Sequence, residues 1–126
     1  MARILLAEDE EGLRGFVERA LAAAGHEVVV AADGGEALHL LSGAGQRFDL
    51  LLADIKMPVM VGIALALAAA RDDPELVILL MTAYADQRER AHGLDALIHD
   101  VIAKPFTLAE IRSAVESALV VARVAL

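Results

Sequence analysis

The stretch FDLLLADIKMP, residues 48–58, decides the fold. Its four apolar residues, Leu50 to Ala53, are typical of a central strand that is buried on both faces, as in a parallel sheet. Asp54 follows directly, where the strand should end. A carboxylate in such a place either performs a function or caps the turn before Pro58, because burying a charge without a partner is costly.

Further short apolar runs lie on both sides of this stretch and alternate with longer helical patterns. The predicted strands cover residues 3–7, 27–31, 50–53, 77–81 and 101–103. Regular alternation of strands and helices indicates an α/β fold, with a parallel sheet covered by helices on both faces.

The helices are predicted from apolar spacing and from residues typical of helix ends. Gly25 ends the first helix, Asp33 caps the second, and Thr107 with Glu110 forms a capping box for the last. A third helix is predicted over residues 63–71 and a weaker, polar one over residues 86–92. Apolar residues at helical spacing are Leu13, Phe16, Val17, Ala20, Leu21 and Ala24 in the first helix, and Leu108, Ile111, Val115 and Leu119 in the last.

Composition restricts the class of protein. A length of 126 residues fits one domain, since domains cluster near roughly 100 to 150 residues, and we expect residues 1–126 to form a single domain. Although 58% of the residues are hydrophobic, the longest apolar run, residues 63–70, is far below the ~18 residues of a membrane span. A net charge of −8 argues against nucleic acid as a direct partner. The absence of cysteine and of a signal peptide favours a cytoplasmic location.

Polar residues stand where four of the predicted strands end. Glu8 and Asp9 follow the first strand, Asp54 the third, Thr82 the fourth and Lys104 the fifth. In a parallel sheet these strand ends share one edge, where open α/β sheets bind ligands. Carboxylates with a nearby cation and hydroxyl suit a hard metal ion and a phosphoryl group. Glu8 to Glu11 alone could equally be the acidic first turn of a helix.

With these residues, the DIKMP sequence and the Lys104-Pro105 dipeptide, the chain resembles the receiver domains of response regulators from end to end. The resemblance implies a flavodoxin-like doubly wound fold, with five parallel strands in the order 2-1-3-4-5 and five helices. It makes Asp54 the acceptor of a phosphoryl group from a phosphohistidine. It also implies a cis peptide before Pro105.

The same resemblance assigns the remaining site residues. It implies Mg²⁺ bound by Asp9, Asp54 and the backbone carbonyl of Lys56, with Glu8 acting through water. It places the Thr82 hydroxyl, the backbone N–H of Ala83 and the Lys104 ammonium on the phosphoryl group. Before phosphorylation, it implies that the Lys104 ammonium pairs with Asp54. Without metal, the clustered carboxylates should raise one another's pKa.

Two positions depart from the family pattern. Val61 stands where an acid usually precedes Gly62, and Val101 stands where receivers commonly carry an aromatic ring that moves on activation. We therefore expect a signal to travel through Tyr84 or the loop after it. Tyr84 and Lys56 both flank the site and could hinder the water that hydrolyses an aspartyl-phosphate.

The resemblance implies a response regulator with no output domain, phosphorylated by a sensor histidine kinase or phosphotransferase and not an enzyme in its own right. A downstream protein should bind the last two helices and last strand, where Val120, Val121, Val124 and Leu126 add apolar surface, and this face could also form a homodimer. The opening ARILLAED is similar to that of single-domain receivers that act with a protease. Two alternatives are a degenerate receiver that acts only as an interaction module and a Mg²⁺-dependent phosphotransferase.

Overall fold

The computed structural model describes residues 2–43, 47–84 and 97–124. These contain five strands, β1 (Arg3–Ala7), β2 (Glu27–Ala31), β3 (Leu50–Asp54), β4 (Val77–Thr82) and β5 (Asp100–Ala103). They also contain four helices, α1 (Glu11–Ala23), α2 (Gly34–Leu41), α3 (Gly62–Asp72) and α4 (Leu108–Val124). All five predicted strands are confirmed to within one residue at each end. The helix predicted over residues 86–92 lies outside the described residues.

The strands form one parallel sheet in the order β2-β1-β3-β4-β5, which confirms the predicted fold class and topology. Strand β3 lies at the centre, and all five of its residues are buried. A strand covered on both faces needs apolar side chains at every position, which explains the unbroken run before Asp54. The carboxyl ends of all five strands therefore lie at one edge.

Successive side chains of the strands enter two separate cores, because they point to opposite faces of the sheet. Leu51 and Ala53 pack on the face covered by α2 and α3, with Ala37, Leu65 and Ala66. Leu50 and Leu52 pack on the other face, with residues of α1 and α4 that include Val17, Leu21, Ile111 and Val115. Burial of each large side chain contributes about 1.5–3 kcal/mol, so both helical layers hold the sheet in place.

The predicted helix ends are also observed. Gly25 has a φ of 94°, a left-handed conformation that glycine adopts without a steric penalty. Asp33 Oδ1 accepts from the Glu36 N–H at 2.8 Å. Thr107 Oγ1 accepts from the Glu110 N–H at 3.1 Å, and Glu110 Oε1 accepts from the Thr107 N–H at 2.9 Å, which confirms the capping box.

The apolar stripe predicted for the last helix is correct except at its first residue. Ile111, Val115 and Leu119 are buried, but Leu108 is 42% exposed. Leu108 begins the helix just beyond the carboxyl edge of the sheet, so helical spacing alone does not place it over the core. Among the described residues, no helix is long and apolar enough to span a membrane.

Candidate functional site

The carboxyl edge of the sheet brings together the polar residues that follow its strands. Asp54 is the last residue of β3 and Thr82 the last of β4, while Lys104 follows β5 directly. Glu8 follows β1 and continues its ladder, because its N–H donates to the Ala31 carbonyl at 3.1 Å. The expected convergence is therefore present in the structure.

Three carboxylates form the acidic part of the site. Glu8, Asp9 and Asp54 each offer an oxygen within 4.8 Å of the other two. Glu8 is completely buried and Asp54 is 6% exposed, whereas Asp9 is open to solvent. This set of hard oxygen donors fits Mg²⁺, which prefers a few carboxylates and keeps several waters.

Lys104 neutralises part of this charge. Its Nζ donates to Asp54 Oδ2 at 2.6 Å and to Glu8 Oε1 at 2.8 Å, and only 18% of its side chain is exposed. The pairing with Asp54 was expected, whereas the pairing with Glu8 was not. The Lys104-Pro105 peptide bond is cis, as the family resemblance implied.

Burial is the main cause of the altered ionisation of Glu8. It raises the pKa of Glu8 to about 7, against the lowering effect of hydrogen bonds from Lys104 and the Glu10 N–H. Repulsion from Asp54 also raises the pKa of Glu8, but it is a smaller cause than burial. Burial lowers the pKa of Lys104, but the bonds to Asp54 and Glu8 outweigh it and the net direction is upward.

Thr82 makes contacts that its position alone did not predict. It is 2% exposed, and its hydroxyl donates to the Tyr84 carbonyl at 3.2 Å and accepts from the Tyr84 N–H at 3.0 Å. The hydroxyl is therefore engaged with the chain that follows β4. It would have to exchange the bond to the Tyr84 carbonyl in order to donate to a ligand.

An open cleft of about 360 Å³ lies over the carboxylates. Ala83, Tyr84 and Lys56 line it, and Lys56 Nζ lies 5.4 Å from the centroid of the Tyr84 ring. Tyr84 is 49% exposed, so the ring and the ammonium cover one side of the cleft without closing it. The Lys56 N–H donates to Asp54 Oδ1 at 3.3 Å.

The close packing of the loop from β3 to α3 explains why glycine is present at two positions that the sequence analysis did not interpret. A Cβ on Gly62 would lie 2.2 Å from the Asp54 carbonyl oxygen, and one on Gly34 would lie 2.0 Å from the Met60 carbonyl oxygen. Only glycine permits these approaches. Val61, where an acid was expected, is the residue before α3 and makes no side-chain cap.

Arg14 is a further residue that sequence reasoning missed. Its Nη1 donates to the Glu8 carbonyl oxygen at 2.9 Å, so that α1 contacts the main chain between Glu8 and Asp9. Glu10 caps the same helix by accepting from the N–H groups of Gly12 and Leu13. The sequence offered an acidic first turn as a signal for the cap, but none for a contact six residues back.

Comparison with known proteins agrees with the fold. The family model for the response regulator receiver domain matches residues 4–116. CpdR from Brucella abortus, a response regulator receiver protein, is 38% identical over 97% of this chain and 100% of its own length. The transcriptional regulatory protein PrrA from Mycobacterium tuberculosis is 34% identical over 93% of this chain but only 49% of its own, so the chain spans about half of PrrA.

A solved structure gives the same result. The response regulator protein TrrA from Thermotoga maritima, in complex with Mg²⁺ and BeF, matches with a TM-score of 0.82 and 29% identity over 94% of this chain and 99% of that one. The chain belongs to the response regulator receiver domain family. It is therefore a module of two-component, phosphorylation-based signalling.

Proposed function

We propose that Asp54 accepts a phosphoryl group from a phosphohistidine of a sensor histidine kinase or phosphotransferase. One observation carries the proposal: a nearly buried carboxylate ends the central strand beneath an open cleft, with Lys104 Nζ 2.6 Å away. A carboxylate oxygen attacks phosphorus and forms an O–P bond. The N–P bond to the histidine breaks, and its electron pair returns to the imidazole ring.

Glu8, Asp9, Asp54 and the Lys56 backbone carbonyl would hold Mg²⁺. The support is the set of three carboxylates with oxygens within 4.8 Å of one another. When bound, the ion would offset the negative charge of the carboxylates and of the incoming phosphoryl oxygens. TrrA, a relative by structure, is solved with Mg²⁺ and BeF.

Lys104 and Ala83 would bind the phosphoryl group itself. Lys104 Nζ already contacts Asp54, and a phosphoryl oxygen on Asp54 would offer it a stronger, charge-assisted partner. Ala83 lines the cleft and has only a methyl side chain, so its backbone N–H can come close to a ligand. Lys56 and Tyr84 shield one side of the cleft, which would slow attack by water on the acyl phosphate.

Thr82 would convert phosphorylation into a change of conformation. Its hydroxyl can donate either to the Tyr84 carbonyl, as observed, or to a phosphoryl oxygen. A ligand shifts a two-state equilibrium by its different interaction with the two states, and this exchange of partner supplies the difference. Val101 is buried and has no ring to move, which leaves Thr82 and Tyr84 as the route.

The output partner would be a protein that binds near the end of α4. Val120 and Val121 are 55% and 51% exposed there, more apolar surface than a solvated helix needs. A protease is one candidate because of the full-length similarity to CpdR, and a second copy of the chain is another. The net charge of −8 disfavours nucleic acid. A cytoplasmic location rests on the absence of cysteine.

The test is phosphorylation by acetyl phosphate, followed by intact-mass spectrometry. The mass of one phosphoryl group should be gained with Mg²⁺ and not with chelator, and Asp54→Asn should gain none. Equal labelling of Asp54→Asn, or labelling in chelator, would refute the proposal. A folded protein that takes up no phosphoryl group would favour the degenerate receiver, which the intact cluster of Asp9, Asp54 and Lys104 does not support.

A further inference from the structure

Arg14 connects α1 to the acidic part of the site. It is the fourth residue of the helix, and its side chain turns back past the helix start to the Glu8 carbonyl oxygen, 2.9 Å from Nη1. This carbonyl belongs to the peptide that joins Glu8 to Asp9. Arg14 therefore makes a charge-assisted hydrogen bond to the peptide that links two residues whose carboxylates belong to the site.

The contact is not explained by the needs of the helix. A cation near a helix N-terminus interacts unfavourably with the helix dipole. Gly12 and Gly15 lie on either side of Arg14, and each weakens the helix by about 1 kcal/mol relative to alanine. The start of α1 is instead capped by Glu10, which accepts from the N–H groups of Gly12 and Leu13 at 3.0 and 2.8 Å.

Each polar group of Glu8 has a different hydrogen-bond partner, and the partner of its main-chain carbonyl is Arg14. The Glu8 N–H donates to Ala31, and its carboxylate accepts from Lys104 and from the Glu10 N–H. Glu8 is thus held on three sides, whereas Asp9 follows it with an exposed side chain. The bond from Arg14 reaches the peptide that immediately precedes the Asp9 side chain.

We propose that Arg14 is a positioning residue for Mg²⁺ binding: it holds the Glu8–Asp9 peptide so that the Asp9 carboxylate stays beside Asp54. The inference rests on the proposed Mg²⁺ site. Residues that orient metal ligands typically change metal affinity by about 10- to 100-fold when they are lost, although they do not touch the ion.

Charge and positioning predict opposite effects for the loss of Arg14. If Arg14 acted only through its charge, its removal would make the site more negative and Mg²⁺ would bind more tightly. If Arg14 positions the peptide, its removal lets Asp9 move and Mg²⁺ binds more weakly. The sign of the change therefore separates the two roles.

The experiment is Mg²⁺ titration by calorimetry on wild type, Arg14→Met, Arg14→Lys and the control Arg19→Met. Methionine keeps an apolar stem but removes the donor and the charge. Arg19 has the same charge on the same helix, is exposed, and has its guanidinium near Gly15 instead of the loop. We expect affinity about tenfold weaker in Arg14→Met, intermediate in Arg14→Lys, and unchanged or slightly tighter in Arg19→Met.

Thermal unfolding in chelator accompanies each titration. Arg14→Met that is folded and binds Mg²⁺ as tightly as wild type, or more tightly, overturns the inference. Arg14→Met that does not fold also overturns it, because the bond would then serve the fold. Wild-type protein that binds no Mg²⁺, or that binds it equally after Asp9→Asn, refutes the proposed metal site itself, whatever the Arg14 variants do.

Discussion

Lys104 is the residue on which the charge balance of the cleft depends. Of the three clustered carboxylates, Lys104 contacts two, Asp54 at 2.6 Å and Glu8 at 2.8 Å. One of these, Glu8, has no exposed surface, so its charge relies on Lys104 and on the Glu10 N–H. Removal of one partner of a buried ion pair is strongly destabilising, because the other charge stays buried without compensation.

We therefore predict that Lys104→Ala lowers the free energy of unfolding by about 1–3 kcal/mol in chelator at pH 8, and that Mg²⁺ restores part of the loss. The measurement is chemical denaturation with and without Mg²⁺. Lys56→Ala is the matched control, since Lys56 is exposed in the same cleft and its ammonium faces the Tyr84 ring. Equal stability of the two variants would show that Lys104 does not stabilise the buried carboxylates.

The pKa of Glu8 leads to a second prediction at this scale. Because burial raises its pKa from 4.5 to about 7, the folded protein binds a proton more tightly than the unfolded chain. The contribution of Glu8 to stability is therefore complete below pH 4.5 and is lost as the pH rises through 7. The loss amounts to about 3 kcal/mol at most.

Glu8→Gln should remove this pH dependence in chelator. The difference in free energy of unfolding, Glu8→Gln minus wild type, should rise as the pH increases from 4.5 to 7.5. Denaturant titrations at several pH values measure the difference, and Glu11→Gln, on the exposed first turn of α1, is the control. A difference that does not vary with pH would contradict the raised pKa.

In the loop that connects β3 to α3, beside the site, one residue has a strained backbone conformation. Val59 has a φ of 70° and is 83% exposed, although a β-branched residue is disfavoured in this conformation. The loop lies against α2, where Gly34 and Gly35 leave room for Met60 and Val59. The loop also carries Lys56, so its conformation matters to the cleft.

We predict that Val59→Asn raises the free energy of unfolding by about 1 kcal/mol, since asparagine tolerates the left-handed region better than valine. Val59→Thr is the control, because threonine is polar at the same exposed position but is β-branched like valine. Chemical denaturation of both variants measures the effect. A gain in the control alone, or in neither variant, would show that the backbone of Val59 is not strained.

The end of β4 carries the proposed switch. If phosphorylation draws the Thr82 hydroxyl away from the Tyr84 carbonyl, the carbonyl ¹³C chemical shift of Tyr84 should move when Mg²⁺ and beryllofluoride are added. Thr82→Ala should remove this response, and Thr107→Ala, which loses only a helix cap, should retain it. A shift that persists in Thr82→Ala would mean that the signal leaves the site by another route.

Over the whole molecule, the sequence predicted what depends on local periodicity and chain topology. Apolar runs such as Leu50 to Ala53 located the strands, and the parallel arrangement placed Asp9, Asp54 and Lys104 at one edge. Helix ends at Gly25, Asp33 and Thr107 followed from the conformations and hydrogen bonds that these residue types favour. Each of these features involves neighbours in sequence or a general rule of sheet geometry.

Contacts that depend on side-chain reach were not predictable. The bond from Lys104 to Glu8 joins residues 96 positions apart that follow two strands that do not pair. The bond from Arg14 to the Glu8 carbonyl depends on how α1 packs after β1. The close approach of Gly62 to the Asp54 carbonyl likewise appears only in three dimensions. These contacts stabilise the cleft. The sequence therefore predicted most of the residues of the site but not the contacts among them.

The central claim, that Asp54 carries the phosphoryl group, is tested most directly by borohydride trapping of the phosphorylated protein. Borohydride reduces an aspartyl-phosphate to homoserine, and peptide mass spectrometry then locates the reduced residue. We predict homoserine at position 54 alone, formed with Mg²⁺ and phosphodonor and not in chelator. Homoserine at position 9, or phosphate retained on a residue other than an aspartate, would contradict the account.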